Sequence, residues 1–381
     1  MIQVVEPIRV AHVMGKMLGG GLEAVVMNYY RHVDRSIVQF DFIVDEDSTL
    51  VPREEIESLG GRVFAVPPYQ RTIAYQRALT KLFCEQGWMI VHCHENALSV
   101  FPLRAAKKAG IPVRIAHSHS TAGKGEFARN AMKWILRRFS NVYPTHRMAC
   151  SRHAGEWLFG KKVEFEVVRN AIDLSYFDFD AKIRKSEREK LDINDGTLVI
   201  GHAGRFVPQK NHAFLIELFE EILRRNSDSL LLLVGDGPLL ESERELARVR
   251  GIADKVRFVG HCEEMGPFYQ AVDVFCLPSN YEGLGMVAVE AQVSGLPTLC
   301  SENVPDEAIV SDSAVKLNLS DGVATWTETI LRMRSSPRDG HVREAQNCGY
   351  DIVSASKLLQ ERYVDLAMDA RCKNGNGVML R

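Results

Sequence analysis

The distribution of apolar and polar residues along the chain alternates between two patterns. Short runs rich in β-branched and aliphatic residues are each followed by a longer segment with a helical pattern, which is typical of parallel sheets with crossover helices. In the first half, the predicted strands are Ile8–Val13, Phe40–Val44, Arg62–Val66, Met89–His92, Val113–Ala116 and Arg147–Ala149. In the second half, they are Leu198–Ala203, Leu230–Val234, Val256–Val259, Val274–Leu277 and Leu296–Leu299.

Between the two halves the sequence becomes polar and charged, from Asp178 to Gly196, and this change predicts a domain boundary. We therefore expect an α/β fold with two doubly wound domains that face each other across a cleft, residues 1–180 and residues 181–350. Residues 351–381 are expected to form a C-terminal helix and tail, with the helix crossing back to the first domain. Ligands of such domains bind at the carboxyl ends of the parallel strands.

Composition excludes several classes of protein. A length of 381 residues with 46% hydrophobic and 25% charged residues fits a soluble two-domain protein. The formal charge of -2 offers no general attraction for nucleic acid, so no nucleic-acid partner is expected. The eight cysteines contain no C-x-x-C pair, and the N-terminus lacks the basic start and apolar stretch of a signal peptide. We expect a cytoplasmic protein with reduced thiols and no membrane-spanning helix.

A glycine-rich loop precedes the first helix. The run Gly19-Gly20-Gly21-Leu22-Glu23-Ala24 fits a dinucleotide fingerprint, with Asp41 and Asp45 near the distance of a ribose-binding acid. The residues from Met14 to Leu18 separate the loop from its strand, however, so we predict no NAD site. Gly20, Gly21 and Glu23 are instead candidates for an acceptor or phosphate loop. The alternative is a loop that merely needs glycine conformations.

The strongest constellation of residues runs from Ser279 to Ala291. After a strand, Gly283-Leu284-Gly285 would let the backbone approach phosphate oxygens where a helix begins. Glu290, two turns into that helix, could accept both hydroxyls of a ribose. Glu282 would remain free in the loop to face a sugar. For either glutamate alone, a solvated or salt-bridged carboxylate is the alternative.

A second loop carries two cations. Arg205 and Lys210 lie between the strand Leu198–Ala203 and the next helix, so they project from the carboxyl edge of the sheet. Two cations at this place could neutralise a diphosphate leaving group without a metal. The alternative for both is ordinary solvated surface. The turn Gly235-Asp236-Gly237-Pro238 ends the following strand and is interpreted as structural.

Histidines cluster at strand ends of the first domain: His12, His92, His94, His117 and His119. A His-x-His pair on a strand could chelate a metal, but no acid or cysteine has convincing ligand spacing, so we predict no metal. One or two of these histidines are expected to line the cleft. The segment Lys124–Phe139 interleaves basic and aromatic residues, which predicts contact with an anionic membrane or, alternatively, a solvated helix face.

These motifs together resemble a known family. The run SNYEGLGMVAVEAQVSGLPTL resembles the E-x7-E signature of family 4 glycosyltransferases, with Glu282 and Glu290 as the two glutamates. Further matches in the order of that family are Gly204-Arg205, Lys210, Gly235-Asp236-Gly237-Pro238 and Phe258-Val259-Gly260. The stretches Gly20-Gly21-Leu22-Glu23 and Arg114–Ser120 are similar to the branch that builds bacterial exopolysaccharides and capsules. The resemblance covers the chain from about Ile8 to Ala367.

The resemblance implies two Rossmann-like domains of the GT-B type. It implies a retaining hexosyltransferase that uses a UDP- or GDP-linked sugar as substrate, with no cofactor and no metal. The acceptor would be a saccharide or a lipid-linked molecule in surface polysaccharide biosynthesis, at the inner face of the membrane. By position, Arg205 and Lys210 would bind the diphosphate, together with Gly283, Leu284 and Gly285.

The resemblance also implies roles for the remaining site residues. Glu290 would bind the ribose and Glu282 the donor sugar, and either His117 or His119 would be the catalytic histidine of the first domain. Asn170-Ala171-Ile172-Asp173 departs from the usual Asn-Gly-Ile-Asp of the family. Asn170 is therefore interpreted as an interdomain turn.

Two other classes of function fit the same sequence. A nucleotide-sugar epimerase or a phosphorylase could share the fold, and a phosphorylase would depend on phosphate. A non-catalytic scaffold that binds nucleotide sugars is the other alternative. Intact Arg205, Lys210, Glu282 and Glu290 count against a scaffold.

Overall fold

The computed structural model describes residues 6–119, 134–262, 264–336, 338 and 340–373. The chain divides into two compact units, one that ends at Ile172 and resumes at Asp351, and one that spans Asp173–Tyr350. The sequence predicts the boundary a few residues later, at 180/181, and sets residues 351–381 apart. In the structure the C-terminal helix belongs to the first unit because side chains such as Leu359 and Tyr363 are buried in its core.

The strands form one parallel sheet in each unit. In the first unit they are β1 Ile8–Gly15, β2 Val38–Asp45, β3 Arg62–Val66, β4 Ile90–Cys93, β5 Val113–Ser118, β6 His146–Ala149 and β7 Glu166–Val167. In the second unit they are β8 Leu198–Ala203, β9 Ser229–Val234, β10 Val256–Gly260, β11 Val274–Leu277, β12 Thr298–Ser301 and β13 Ala314–Leu317. Their order is β3-β2-β1-β4-β5-β6-β7 in the first sheet and β10-β9-β8-β11-β12-β13 in the second.

Helices connect the strands. They are α1 Gly21–His32, α2 Arg53–Ser58, α3 Thr72–Gln86, α4 Val100–Lys108, α5 Arg152–Phe159, α6 Leu174–Phe177, α7 Ala181–Lys190, α8 His212–Arg225, α9 Leu240–Val249, α10 Met265–Ala271, α11 Met286–Val293, α12 Gly322–Met333, α13 Val342–Asn347 and α14 Ile352–Lys373. Short 3-10 helices lie at Asn96–Ser99, Ala253–Lys255, Asp306–Ala308 and Leu319–Asp321. Residues 134–137 are also helical. None of the helices within the described ranges is both long enough and apolar enough to cross a bilayer.

Both faces of each sheet are covered, so the central strands are almost completely buried. All eight residues of β2 are buried, and the same holds for the six residues of β8. In the first unit, α1 and α14 pack on one face through residues such as Tyr30 and Tyr363, whereas α3 and α4 pack on the other through Leu79 and Leu103. The predicted α/β fold with two doubly wound parallel sheets is confirmed.

The order of strands reverses at one place in each sheet, between β1 and β4 and between β8 and β11. Loops that leave the carboxyl ends of strands at such a reversal diverge and form a crevice, which is where ligands of doubly wound folds bind. The candidate residues lie on or after these same strands. The histidines lie in the carboxyl halves of β1, β4 and β5 or directly after β4 and β5, and the two loops of the second half follow β8 and β11.

Candidate functional site

The loops that follow β8 and β11 are held against each other by hydrogen bonds. Asn280 donates its backbone N–H to the Gln209 carbonyl oxygen at 2.8 Å and its side-chain amide to the Pro208 carbonyl oxygen at 2.7 Å. Asn211, at the start of α8, donates its side-chain amide to the Pro278 carbonyl oxygen at 3.1 Å. Two motifs whose contacting residues are 67 to 72 positions apart in sequence therefore form one site in the second unit.

Lys210 and Glu282 meet in this site. The Lys210 Nζ atom lies 2.6 Å from Glu282 Oε1, and the two side chains are only 14% and 5% exposed. Ser279 Oγ donates to the same oxygen at 2.7 Å, and Gln209 Nε2 donates to Oε2 at 3.3 Å. The sequence predicts that Glu282 is free in its loop, whereas the structure shows a buried carboxylate with three donors. The donors Ser279 and Gln209 were not predicted, although both lie within the motif loops.

Arg205 differs from Lys210 in its surroundings. Its side chain is exposed, and among the described residues it forms no hydrogen bond or ion pair, so its guanidinium is available to an anion. The turn at Gly235 supports the loop, because Phe206 donates its N–H to the Asp236 carbonyl oxygen at 2.9 Å. A Cβ atom at Gly235, where φ is +139°, would collide with the Gly204 carbonyl oxygen. This turn is structural, as its composition predicts.

The helix α11 begins directly after Gly283-Leu284-Gly285. Gly285 has φ +86°, a left-handed conformation that glycine adopts without strain, and it caps the helix. Leu284 is buried, with 4% of its surface exposed, so it anchors the loop while the helix N-terminus stays at the edge of the sheet. Backbone N–H groups at the start of a helix attract anions.

Glu290 lies on α11 and is held by a tyrosine. The Tyr269 hydroxyl, on α10, donates to Glu290 Oε2 at 2.7 Å. Burial raises the pKa of Glu290, and the Tyr269 hydrogen bond and the charge of Lys210 partly offset this rise. One carboxylate oxygen therefore has a fixed partner. Tyr269 is a member of the site that the sequence did not reveal, since no motif marks it.

The first unit carries five histidines near the carboxyl edge of its sheet, four of them buried and one partly exposed. We call them the histidine cluster: His12, His92, His94, His117 and His119. Burial lowers the pKa of all five, to about 3 for His12 and for His119, and well below the usual value for the other three. The imidazoles are therefore neutral at pH 7, each with one N–H donor and one lone pair.

The rings of the cluster are joined in two chains. His94 links two neighbours, since its Nε2 lies 2.9 Å from His12 Nδ1 and its Nδ1 lies 2.9 Å from His119 Nε2. His92 links its Nε2 to His117 Nδ1 at 2.9 Å and its Nδ1 to the Tyr363 hydroxyl of α14 at 2.6 Å. The structure thus brings both candidate catalytic histidines together with three others and with a C-terminal tyrosine.

His117 and His119 differ in access. His117, in β5, is only 4% exposed, whereas His119 follows the strand and is partly exposed. The His119 backbone N–H donates to Asn96 Oδ1 at 2.7 Å. Asn170, interpreted from the sequence as a turn, lines the same small cavity as the cluster. Burial lowers the pKa of His119, and the interaction with Asn170 offsets part of this effect. Asn170 and Tyr363 are neighbours of the cluster that sequence reasoning missed.

The glycine loop before α1 is occupied by its own glutamate. Glu23 accepts hydrogen bonds from the backbone N–H groups of Gly20 and, at 3.0 Å, of Leu18. The Glu23 carboxylate therefore occupies the backbone N–H groups at the start of the helix that a phosphate would otherwise accept from. Gly19 has φ +74° and a conformational role, while a Cβ at Gly21 would meet no atom within 4 Å. Among the candidate residues Gly20, Gly21 and Glu23, Gly21 is the one that a ligand can approach without steric obstruction.

Asp41, the candidate ribose acid of the dinucleotide fingerprint, is saturated by structural partners. Arg9 and Arg62 each form an ion pair with it, and Trp88 Nε1 donates to Oδ2 at 2.7 Å. Burial alone would raise the pKa of Asp41, but these three hydrogen bonds lower it below its usual value. Its carboxylate has no capacity left for a ribose.

Two sequence families match the chain. The family described as "Glycosyl transferase 4-like domain" matches residues 20–171, and the family described as "Glycosyl transferases group 1" matches residues 183–325. The Bacillus subtilis protein EpsF, which is named as a glycosyltransferase, is 36% identical over 356 residues, covering 90% of this chain and 93% of its own. An Escherichia coli UDP-Gal:alpha-D-GlcNAc-diphosphoundecaprenol alpha-1,3-galactosyltransferase is 24% identical, covering 95% of this chain and 98% of its own.

The fold also matches solved structures. Anabaena HepE in complex with UDP-glucose superimposes with a TM-score of 0.76 at 16% sequence identity, over 94% of this chain and 99% of that one. At this identity the likeness shows the fold, which is that of the GT-B class. The chain matches a glycosyl transferase 4-like domain in its first half and a glycosyl transferases group 1 domain in its second half, and a relative that it covers almost completely is 36% identical. The chain therefore belongs to the family 4 type of GT-B glycosyltransferases.

Proposed function

We propose that the protein is a retaining hexosyltransferase that uses a UDP- or GDP-linked sugar and needs no metal for transfer. The observation that carries this proposal is the grouping of Arg205, Lys210, Glu282 and Glu290 at the carboxyl edge of the second sheet. The acceptor is a saccharide or a lipid-linked molecule in surface polysaccharide biosynthesis. The similarity to EpsF and to an enzyme named for a diphosphoundecaprenol acceptor supports this assignment, and so does a HepE structure that contains UDP-glucose.

The diphosphate of the donor binds between Arg205, Lys210 and the first turn of α11. Lys210 already contacts Glu282, but an ammonium group has three donors and can hold a carboxylate and a phosphate together. Negative charge grows on the diphosphate as the glycosidic bond breaks, and two fixed cations lower the energy of that transition state. The same two charges make a metal ion unnecessary for the leaving group.

Glu290 and Glu282 hold the two ends of the donor. Glu290 has one oxygen fixed by Tyr269, so its second oxygen can accept a hydroxyl of the ribose. Glu282 meets the sugar hydroxyls while it remains paired with Lys210. In the first unit we assign the catalytic histidine to His119, because it is partly exposed whereas His117 is buried. Its neutral ring can hold sugar hydroxyls as the leaving group departs.

These assignments predict that two substitutions affect different quantities, nucleotide affinity in one variant and kcat in the other. Glu290→Ala should weaken binding of the matching nucleoside diphosphate by about 10–100-fold, because it removes hydrogen bonds to a charged group. His119→Ala should lower kcat and leave nucleotide affinity unchanged, since the nucleotide contacts lie in the second unit. Titration calorimetry with UDP, GDP and ADP, together with donor kinetics, measures both effects. Unchanged nucleotide affinity in Glu290→Ala would remove its ribose role.

We also propose that the protein contacts an anionic membrane at its cytoplasmic face through the segment around residues 134–142. Trp134, Ile135, Phe139 and Val142 are 60%, 63%, 47% and 52% exposed, which is unusual for large apolar side chains within nine residues. Arg137 and Arg138 lie among them. The remaining basic residues of the predicted patch, Lys124, Arg129 and Lys133, lie outside the described residues.

Membrane contact predicts that the protein floats with vesicles that contain anionic lipid and is released by high salt. Arg137→Glu/Arg138→Glu should abolish flotation. Arg104→Glu/Lys108→Glu, on the exposed surface of α4, makes the same change in net charge and should float like the wild type. Equal flotation of both double variants would contradict the assignment of the surface.

A further inference from the structure

The histidine cluster contains a set of ring nitrogens that could serve as metal ligands. One nitrogen each from His94, His117 and His119 lie within 4.8 Å of one another, and the same holds for His12, His92 and His94. His94 belongs to both sets but uses different neighbours in each. Three imidazoles on one ion, with a fourth position left open, is a coordination that proteins use for zinc.

The second ring nitrogen of each histidine decides between the two sets. A histidine that ligates a metal through one nitrogen carries a proton on the other, and this N–H is normally donated to an acceptor that orients the ring. In the set His12, His92 and His94, the Nε2 atom of His12 is buried without a partner among the described residues. Its ring packs 4.0 Å from the centroid of Phe40. In that set, moreover, both ring nitrogens of His92 already have partners, the Tyr363 hydroxyl and His117, so His92 could bind a metal only by losing one of these hydrogen bonds.

Acceptors are present for the set His94, His117 and His119. If His94 ligates through Nδ1, its Nε2–H faces His12 Nδ1 at 2.9 Å. If His117 ligates through Nε2, which is buried and unpartnered among the described residues, its Nδ1–H faces His92 Nε2 at 2.9 Å.

The third ligand has an acceptor as well. His119 offers Nε2 towards His94, and its Nδ1 interacts with the Asn170 side chain; Nδ1 and Asn170 Oδ1 are both buried without another partner in the described part of the chain. His92 in turn can donate its Nδ1–H to the Tyr363 hydroxyl, 2.6 Å away. The N–H groups of the three ligands thus each face a nitrogen or oxygen atom that can receive them, whereas the Nε2–H of His12 has no acceptor among the described residues in either set.

We propose that His94, His117 and His119 bind one divalent transition-metal ion of the zinc type, oriented by His12, His92 and Asn170, with the fourth position open to an oxygen ligand. Imidazole nitrogens without carboxylates select zinc, copper or nickel and not magnesium or manganese. The site is distinct from the diphosphate site, where Arg205 and Lys210 supply the positive charge.

The ion would occupy His119, so it should inhibit glycosyl transfer. This consequence rests on the proposed role of His119 in transfer, whereas the binding itself does not. Zinc is therefore expected to act as an inhibitor of an enzyme that needs no metal, and chelation is expected to increase activity of protein that was purified with zinc.

The test uses the full-length protein without an affinity tag, freed of metal by a chelator. Titration with Zn²⁺ in competition with a chromophoric chelator should give one site per chain, and Co²⁺ should produce the intense visible absorption of a tetrahedral nitrogen site. His94→Ala and His117→Ala should abolish binding, Asn170→Ala should weaken it by about 10–100-fold, and the exposed His153→Ala should not change it. Circular dichroism of each variant establishes that it is folded.

The outcomes separate the two proposals. Absence of stoichiometric zinc binding by the folded wild type, or equal binding by His94→Ala, overturns the site whatever the enzyme's activity. Loss of binding in His12→Phe with retention in His117→Ala would assign the ion to the other set and equally overturn it. One bound zinc with unchanged transfer supports the site and removes His119 from the proposed mechanism.

Discussion

Replacing Arg205 with alanine is expected to lower kcat by about 10²–10³-fold, the usual effect of removing one fixed group that stabilises transition-state charge. Because the side chain is exposed and bonded to none of the described residues, the free energy of unfolding should stay within about 0.5 kcal/mol of the wild type. Steady-state kinetics with the donor identified by the nucleotide titration, and urea unfolding of the same preparation, measure the two quantities.

The matched control for this variant is Arg248→Ala. Arg248 is also an exposed arginine of the second unit, but it lies on α9 and pairs with Glu245 at 2.6 Å. A surface pair of this kind contributes little to stability, and its loss should leave kcat unchanged. If Arg205→Ala turns over like Arg248→Ala, the assignment of the diphosphate to the loop after β8 is wrong.

Lys210→Ala is expected to lower both turnover and stability, in contrast to Arg205→Ala. The substitution leaves the Glu282 carboxylate buried with only Ser279 and Gln209 as donors. Removing one partner of a buried ion pair typically costs about 3–5 kcal/mol, since the remaining charge has no compensation. Urea unfolding at neutral pH should show a loss of this size.

A second substitution separates this electrostatic cause from a loss of packing. In Lys210→Ala/Glu282→Gln the buried group is neutral, so most of the lost stability should return while transfer activity should not. A double-mutant cycle should give a coupling energy of at least about 1 kcal/mol between the two positions. A Lys210→Ala protein as stable as the wild type would show that the ion pair does not contribute to folding.

Much of the fold could be predicted because the central strands are buried on both faces. The bounds of β11 and β8 were predicted to the residue. The strand β11 is a continuous apolar run, and β8 begins with the apolar run Leu198-Val199-Ile200 and ends at a polar loop. Two edge strands were missed for the opposite reason. The two residues of β7 are exposed and those of β13 are only half-buried, so neither has an apolar pattern that sequence analysis could recognise.

The candidate site was predictable where the residues belong to one loop and unpredictable where a contact joins distant segments. Glycines and charges after β8 and β11 marked Arg205 and Glu290, but the pairing of Lys210 with Glu282 depends on how the two loops pack. The contact between His92 and Tyr363 joins residues 271 positions apart. Tyr363 itself follows the apolar pattern of α14 and looks in the sequence like any other core residue.

The stereochemistry of sugar release tests the central claim most directly. Wild-type protein, with a metal chelator present, is incubated with the nucleotide sugar that it binds, and the first product is observed by proton NMR before its anomers interconvert. If Arg205, Lys210 and Glu282 support retaining transfer, the new product has the same anomeric configuration as the donor. The chelator is then expected not to slow its formation. A product with the inverted configuration, or a reaction that requires added metal, would contradict the account.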